Sequence, residues 1–166
     1  MKSRFAFSVL PAVIVMTAFA KEASAQGAIR KITDPIPAGC PVTKPPVPRF
    51  IPPGTERVPL IGGYFFGTPN LWVWVLHNPV SMFGEKVVWG SQGYDAKADR
   101  RPALTITLRR LDPPGPAVAI DGNAAGSSNE HWASFIMTGV KFPSIGCYEI
   151  TGRFQGEELR IVSWVW

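Results

Sequence analysis

Few side chains in this sequence could do chemistry, and their spacing does not bring them together. The two histidines, His77 and His131, lack the close spacing that is typical of metal ligands. Asp95 and Asp99 form a carboxylate pair in the stretch YDAKADRR, whose composition indicates a solvated loop. The stretch DGNAAGSSNE (121–130) starts like a calcium loop but lacks the acidic residues that such a loop needs. We therefore predict no catalytic residue, no metal and no cofactor.

The sequence motifs of the common enzyme classes are also missing. The chain has no Gly-x-Ser-x-Gly turn, no phosphate-binding glycine loop and no dinucleotide fingerprint. Its basic residues are scattered, so the net charge of +5 does not form the stripe that nucleic acid binders carry. These patterns favour a protein that is not an enzyme and that has no nucleic acid partner.

The N-terminus has the composition of a secretory signal. Lys2 and Arg4 precede an apolar run over 5–20, and Ala-Ser-Ala at 23–25 supplies the small residues of a cleavage site. The run is shorter than the ~20 residues that span a bilayer, which favours a signal peptide over 1–25 rather than a retained anchor. We expect an exported protein, periplasmic or secreted, with no transmembrane segment after signal cleavage.

Two cysteines follow the signal, Cys40 and Cys147. Exported proteins meet an oxidising environment, and two cysteines allow a single intramolecular pairing, so we expect a Cys40–Cys147 disulfide. In the chain-entropy description, closing a loop of this length stabilises the fold by roughly 4–5 kcal/mol, which is an upper figure.

Residues 26–61 form a proline-rich segment. The stretch CPVTKPPVPRFIPPGTERVP (40–59) carries seven prolines, a density that excludes a helix or a central strand. It favours an extended chain with an open backbone. We predict a strap that lies over the folded domain and is held at one end by Cys40.

From residue 62 to the end, short apolar runs alternate with turn residues. These runs are rich in β-branched and aromatic residues and have the length of strands, and no window shows a helical stripe. Seven or eight such strands predict an all-β antiparallel sandwich over 62–166. The runs are YFFG (64–67), LWVWVLH (71–77), EKVVWG (85–90), ALTITLRRL (103–111), AVAI (117–120), HWASFIMTGV (131–140), CYEITGRF (147–154) and ELRIVSWVW (158–166).

Alternation within the runs separates an inner face from an outer face. The three apolar residues of LTITL (104–108) share one face, with threonines on the other. In CYEITGR (147–153), Tyr148 and Ile150 share the apolar face, which places Cys147 on the opposite, outward face.

The stretch Gly146-Cys147-Tyr148-Glu149-Ile150, which follows a Phe-Pro corner, resembles the penultimate strand of immunoglobulin-like β-sandwiches. In that strand an inward tyrosine caps nearby backbone with its hydroxyl, so the resemblance implies structural roles for Gly146, Tyr148 and Ile150. Immunoglobulin domains place an inter-sheet cysteine where Ile150 stands. The outward Cys147 is instead placed to hold the proline-rich strap on an outer face.

The chain also resembles a group of uncharacterised exported bacterial proteins. The resemblance rests on CPVTKPP (40–46), RPALTITLRRLD (101–112) and FPSIGCYEITGRFQGEEL (142–159). That group carries no assigned activity, so the resemblance implies a fold and a compartment and nothing more.

Four tryptophans form a candidate binding platform: Trp72, Trp74, Trp89 and Trp132. Both faces of LWVWVL are apolar, which is unusual for a strand with one wet side. Three interpretations stay open: the strap covers these indoles, they belong to the core, or they form an exposed platform for a glycan or peptide.

We therefore expect an exported, non-enzymatic binding or interaction module of the cell envelope, whose partner is an envelope protein, peptide or glycan. The fold-based part of this expectation is an analogy. One alternative is a purely structural accessory protein with no small ligand. Another is a small hydrolase, which a cleft gathering Asp95, Asp99 or His131 would favour.

Overall fold

The computed structural model describes residues 36–58, 62–75, 85–120, 123–128 and 134–166. The predicted signal peptide over 1–25 and the start of the proline-rich segment lie outside these residues. His77, His131 and Trp132 also lie outside them, as do residues 121–122 and 129–130 of the predicted 121–130 loop.

The described part of the chain folds into β-strands joined by turns and contains no helix. The all-β prediction is therefore confirmed for these residues. The strands are β1 (Tyr64–Gly67), β2 (Trp72–Val75), β3 (Glu85–Gly90), β4 (Thr105–Leu111), β5 (Pro114–Ile120), β6 (Ala125–Ser127), β7 (Phe135–Val140), β8 (Gly146–Phe154) and β9 (Glu157–Val165).

The strands form two antiparallel sheets. The first sheet has the order β1-β2-β3-β7-β6, and the second has the order β5-β4-β8-β9. In the second sheet the register pairs Leu108 with Ile150 and Ile150 with Ile161, so the apolar residues of three strands form one row. Residues opposite each other in an antiparallel pair point to the same face, so this row forms an apolar surface.

The two sheets pack face to face through these apolar surfaces. The shared core includes Val73 and Ile136 from the first sheet and Ile106 and Ile150 from the second. The predicted inner residues of 104–108 are all buried, because alternation places every second side chain on the covered face. Burial of this apolar surface stabilises the contact between the sheets.

Trp89 is the largest side chain of the shared core, with 0% of its surface exposed. Its indole Nε1–H donates to Thr138 Oγ1 at 3.2 Å, which satisfies the one polar atom of the ring. The ring lies over Gly152 of β8, where a Cβ atom would come within 2.5 Å of Trp89 Cζ3. The bare backbone at Gly152 therefore makes room for the indole between the sheets.

Two strands differ from the sequence-based prediction. We expected Pro114 to Pro116 to form a turn, but β5 already begins at Pro114. Proline is tolerated there because β5 lies at the edge of its sheet, where one row of N–H groups needs no partner. The short strand β6 has the sequence Ala-Gly-Ser, which carries no apolar alternation from which it could be predicted.

The described part of the N-terminal segment, residues 36–58, contains no helix or strand and runs across both sheets. Cys40 is bonded to Cys147 on the outward face of β8, with a Cα–Cα distance of 5.6 Å. The expected disulfide is thus present, and Cys147 faces away from the shared core, whose neighbouring member on β8 is Tyr148.

Thr43 then forms hydrogen bonds with an edge strand of each sheet, β9 and β1. Its N–H donates to the Val162 carbonyl of β9 at 2.9 Å, and the Val162 N–H donates to Thr43 Oγ1 at 2.8 Å. The Tyr64 hydroxyl of β1 donates to the Thr43 carbonyl at 2.6 Å. Burial raises the pKa of the Tyr64 hydroxyl, which keeps it a proton donor for this bond.

Beyond Thr43 the segment reaches the outward face of the first sheet. Phe50 and Val58 pack there against Phe65 and Trp72, in a second apolar cluster separate from the shared core. We call this the outer cluster, and its members are Phe50, Val58, Phe65, Trp72, Trp74, Val88, Phe135 and Met137. The segment therefore begins on the outside of one sheet and finishes on the outside of the other.

Candidate binding groove beside strand β5

The predicted tryptophan platform is divided between two buried places. Trp89 points into the shared core, and Trp72 is 3% exposed in the outer cluster, where its ring meets Phe65 edge-on at 5.2 Å. Trp74 is half-buried beside Phe65 in the same cluster. Neither Trp72 nor Trp89 offers an open face to a ligand, and Trp132 lies outside the described residues. Trp72 on β2 is thus covered by the N-terminal segment, and Trp89 on β3 belongs to the shared core.

The two predicted carboxylates serve turns. Asp95 Oδ1 accepts the N–H of Lys97 at 2.9 Å, and Asp99 Oδ1 accepts the N–H of Arg101 at 3.1 Å. Such bonds to the residue two positions on are typical of Asx turns. Both side chains are exposed. His131, the third residue of the cleft that would favour a hydrolase, lies outside the described residues.

Tyr94 packs beside this loop. Its hydroxyl donates to the Asp99 carbonyl at 2.7 Å. Burial raises the pKa of Tyr94, and the negative charges of Asp99 and Asp95 raise it further. The phenol therefore stays protonated and holds the loop in place.

An open apolar groove of about 520 Å³ lies beside β5, at the edge of the second sheet. It exists because the inner face of β5 is only partly covered. Val118 pairs with the buried Leu108 and so points to the same inner face, yet it is 58% exposed. The groove is lined by Leu108, Arg110, Gly115, Pro116, Val118, Ile120, Lys141, Phe142, Pro143, Ser144 and Tyr148.

Aromatic rings form the inner wall of the groove. Phe142 and Tyr148 are both buried, and their ring centroids lie 5.3 Å apart at a tilt of 57°. Phe142 belongs to the Phe-Pro corner between β7 and β8, and Tyr148 is an inward residue of β8. The inward position expected for Tyr148 is found, but its hydroxyl bonds Ser144 Oγ at 2.9 Å rather than the backbone.

A chain of polar contacts fixes one cation at the rim. Arg110 Nε donates to the Asp112 carbonyl and Arg110 Nη1 donates to Ser144 Oγ, each at 2.8 Å. Ser144 in turn bonds the Tyr148 hydroxyl. The guanidinium is therefore oriented before any ligand arrives, which lowers the entropic cost of using it.

Gly146 allows this chain of contacts to close. The Asp112 carboxylate accepts the Cys147 N–H and lies 3.6 Å from Arg110 Nε. A Cβ atom at Gly146 would lie 2.9 Å from Asp112 Oδ1 and 3.1 Å from the guanidinium. The residue predicted to be structural thus has a steric reason to be glycine.

Lys141 provides a second cation on the rim. Its side chain is exposed, and no described residue forms an ion pair with it. With Arg110 it gives the groove an apolar body and a positive border. Small-ligand sites commonly combine an apolar lining of this size with a few oriented polar groups.

This groove was not predicted from the sequence. One usable signal is the pattern PGPAVAI, in which Pro116, Val118 and Ile120 alternate with small residues. The exposure of Val118 depends on how far β5 extends past the first sheet, and no local pattern reports that distance.

In the described ranges, no three His, Cys, Asp or Glu side chains gather as a metal site would require. No helix in the same ranges is long and apolar enough to cross a membrane. In comparisons with known proteins, no family model, no curated protein and no solved structure matches the chain.

Proposed function

We propose that this chain is an exported, non-enzymatic binding module of the cell envelope with an immunoglobulin-like fold, and that the groove beside β5 is its binding site. The observation that carries the proposal is the exposure of Val118 within an apolar groove that is bordered by Arg110 and Lys141. Large exposed apolar patches are uncommon on soluble proteins, and those that occur often mark a binding site.

Strand order supports the immunoglobulin-like part of the proposal. Immunoglobulin sandwiches place strands A, B, E and D in one sheet and C, F and G in the other, and some add a strand beside C. Here β2-β3-β7-β6 has the order A-B-E-D, and β4-β8-β9 has the order C-F-G with β5 added beside β4. The chain order of the strands follows the same lettering, and β1 is an addition.

Export is supported by the Cys40–Cys147 disulfide, since such bonds persist in oxidising compartments. A partner of the envelope, whether protein, peptide or glycan, would meet the groove from solvent. The alternative of a purely structural accessory protein predicts that the groove binds nothing.

Nuclear magnetic resonance on the secreted protein tests the proposal. The ¹⁵N-labelled protein is titrated with acetyl-valinamide, dodecanoate and an N-acetylglucosamine disaccharide. We expect at least one probe to shift the amide signals of Val118, Ile120 and Tyr148. Val118→Glu should abolish those shifts, because a carboxylate would then occupy the apolar lining.

Val47→Glu is the matched control, since Val47 is 96% exposed and lies far along the chain from the groove. It adds the same charge and should leave the shifts unchanged. Absence of any shift with all three probes would support the structural accessory instead. Shifts confined to other surfaces would exclude the groove as the binding site.

A further inference from the structure

Strand β5 has one backbone edge that no described strand covers, because it pairs with β4 alone. Successive residues of a strand direct their N–H and C=O groups to opposite sides. On β9 the Val162 backbone groups bond Thr43 and so point away from β8. The register followed from Val162 across β8 and β4 therefore directs the backbone groups of Ala117 and Ala119 to the uncovered side of β5.

The residues that follow each of these alanines, Val118 and Ile120, carry the apolar lining of the groove. Val118 pairs with Leu108 and Ile120 pairs with Ile106, so both side chains lie on the inner face. A further strand beside β5 would place every second side chain next to them, at the 4.5–5.5 Å spacing of cross-strand pairs. Backbone bonds and side-chain packing thus call for the same occupant, an extended chain with alternating apolar residues.

Charge specifies the occupant further. Arg110 and Lys141 border the groove, and the one nearby carboxylate, Asp112, already accepts the Cys147 N–H. A second copy of this chain would bring the same two cations and no added anion. A peptide with a carboxylate at one end of its apolar residues would complement them.

We propose that β5 binds an extended peptide as an additional strand of the second sheet. Its alternate apolar side chains enter the groove, and a carboxylate lies beside Lys141. This proposal rests on the groove being the binding site, as proposed above, and adds the chemical class of the partner. Peptides that bind by strand addition gain affinity from main-chain bonds and specificity from alternate side chains.

The probe is the peptide acetyl-Thr-Val-Thr-Val-Thr-Glu, added to the protein purified with its disulfide intact. Hydrogen exchange is measured at the amides of Ala117 and Ala119. We expect exchange at both amides to slow at least tenfold at saturating peptide, because their N–H groups become bonded. Amides of β9, at the other edge of the same sheet, serve as the internal reference.

A second peptide, N-methylated at the two threonines that flank its second valine, separates strand pairing from apolar contact. With the valines beside Val118 and Ile120, these threonines lie opposite Ala117 and Ala119 and supply the main-chain donors. Methylation removes those donors while keeping the side chains. We expect the methylated peptide to bind at least tenfold more weakly, in line with about 1 kcal/mol per lost hydrogen bond.

Protein variants provide an independent reading. Ala119→Pro removes one edge N–H and should weaken the peptide about tenfold, whereas Ala119→Ser keeps that N–H and should weaken it less. Lys141→Gln should weaken the Glu peptide about threefold at low salt and leave its Gln counterpart unchanged. If Ala119→Pro fails to fold, the methylated peptide decides the question on the unaltered protein.

Three outcomes would overturn the proposal. Equal binding of the methylated peptide would mean that the groove accepts apolar groups without strand pairing. Binding of dodecanoate but not of the peptide would reject the peptide and keep the binding module. Concentration-dependent self-association through β5 would assign the edge to a second copy. If neither the peptide nor any earlier probe binds, the proposed function itself fails.

Discussion

The outward faces of the two sheets contrast with each other. The first sheet presents Phe65, Trp72 and Phe135 outward, and residues 50–58 cover them. The second sheet presents charged residues outward, and these pair with one another: Arg109 with Glu149 at 3.0 Å, and Arg153 with Glu158 at 2.6 Å. A face of aromatic residues needs a cover, whereas a face of ion pairs is stable in water without one.

This contrast explains the course of the N-terminal segment across the two sheets. Its described residues are bonded to the second sheet at Cys40 and Thr43, and they give the apolar side chains of Phe50 and Val58 to the first sheet. The segment therefore behaves as a third layer on the first sheet. We expect that layer, rather than the ion pairs, to stabilise the fold.

The largest effect should follow loss of the disulfide. Cys40→Ser with Cys147→Ser removes a cross-link that spans 107 residues. The free energy of unfolding should fall by up to about 4.7 kcal/mol, because the unfolded chain regains the entropy that the cross-link removes. Urea denaturation measures the change.

The same variant also tests the order of unfolding. Hydrogen exchange should rise in residues 36–58 before it rises in β4 or β8, and acrylamide should then quench the tryptophans of the outer cluster more strongly. Simultaneous loss of protection throughout the protein would show that the segment is not a separable layer.

A pair of tryptophan variants compares the two faces directly. Trp72→Ala removes a buried indole from the covered face and should destabilise the protein by about 3 kcal/mol. Trp164→Ala removes the same group from the outward face of the second sheet, where it is half-buried, and should cost clearly less. Thermal unfolding followed by circular dichroism measures both, and equal losses would contradict the contrast between the faces.

The two outward faces also show which features of the fold can be predicted from the sequence alone. The alternation at 104–108 and 147–154 predicts the sheets and the outward position of Cys147, because each strand is apolar on one side only. The run LWVWVL is apolar on both faces. This indicates that another part of the chain covers its outer face, but it does not identify that part. The groove beside β5 could not be predicted, because it depends on where β5 extends past its neighbours. Its rim also joins Arg110 to Ser144, which are far apart in the chain.

The smallest effect should come from the ion pairs of the second sheet. Hydrogen bonds from Arg160 and then from Arg153 lower the pKa of Glu158 below its usual 4.5. A lowered folded-state pKa stabilises the protein above the unfolded-state value, and this contribution is lost as the pH falls through the folded-state pKa. Acidification below about pH 4.5 should therefore weaken the wild type slightly.

Glu158→Gln should remove this acid dependence and leave the stability at neutral pH almost unchanged, since exposed ion pairs contribute little. Salt should reduce the remaining difference between variant and wild type. Denaturation curves at pH 3 and pH 7, at low and high salt, measure both effects. A loss at pH 7 as large as that of Trp72→Ala would mean that the open face is no less important than the covered one.

The disulfide also determines how the fold would respond to mechanical tension. Cys147 of β8 is the direct cross-strand partner of Trp164 near the end of β9. A pull on chain N-terminal to Cys40 reaches β8 through the sulfur–sulfur bond, and an opposing pull beyond Trp166 reaches the neighbouring position on β9. Residues 41–146, between the two cysteines, lie outside this path. Such tension would thus be carried by the disulfide bond and by the pairing of β8 with β9 at one end. The groove, the shared core and the outer cluster would carry no load.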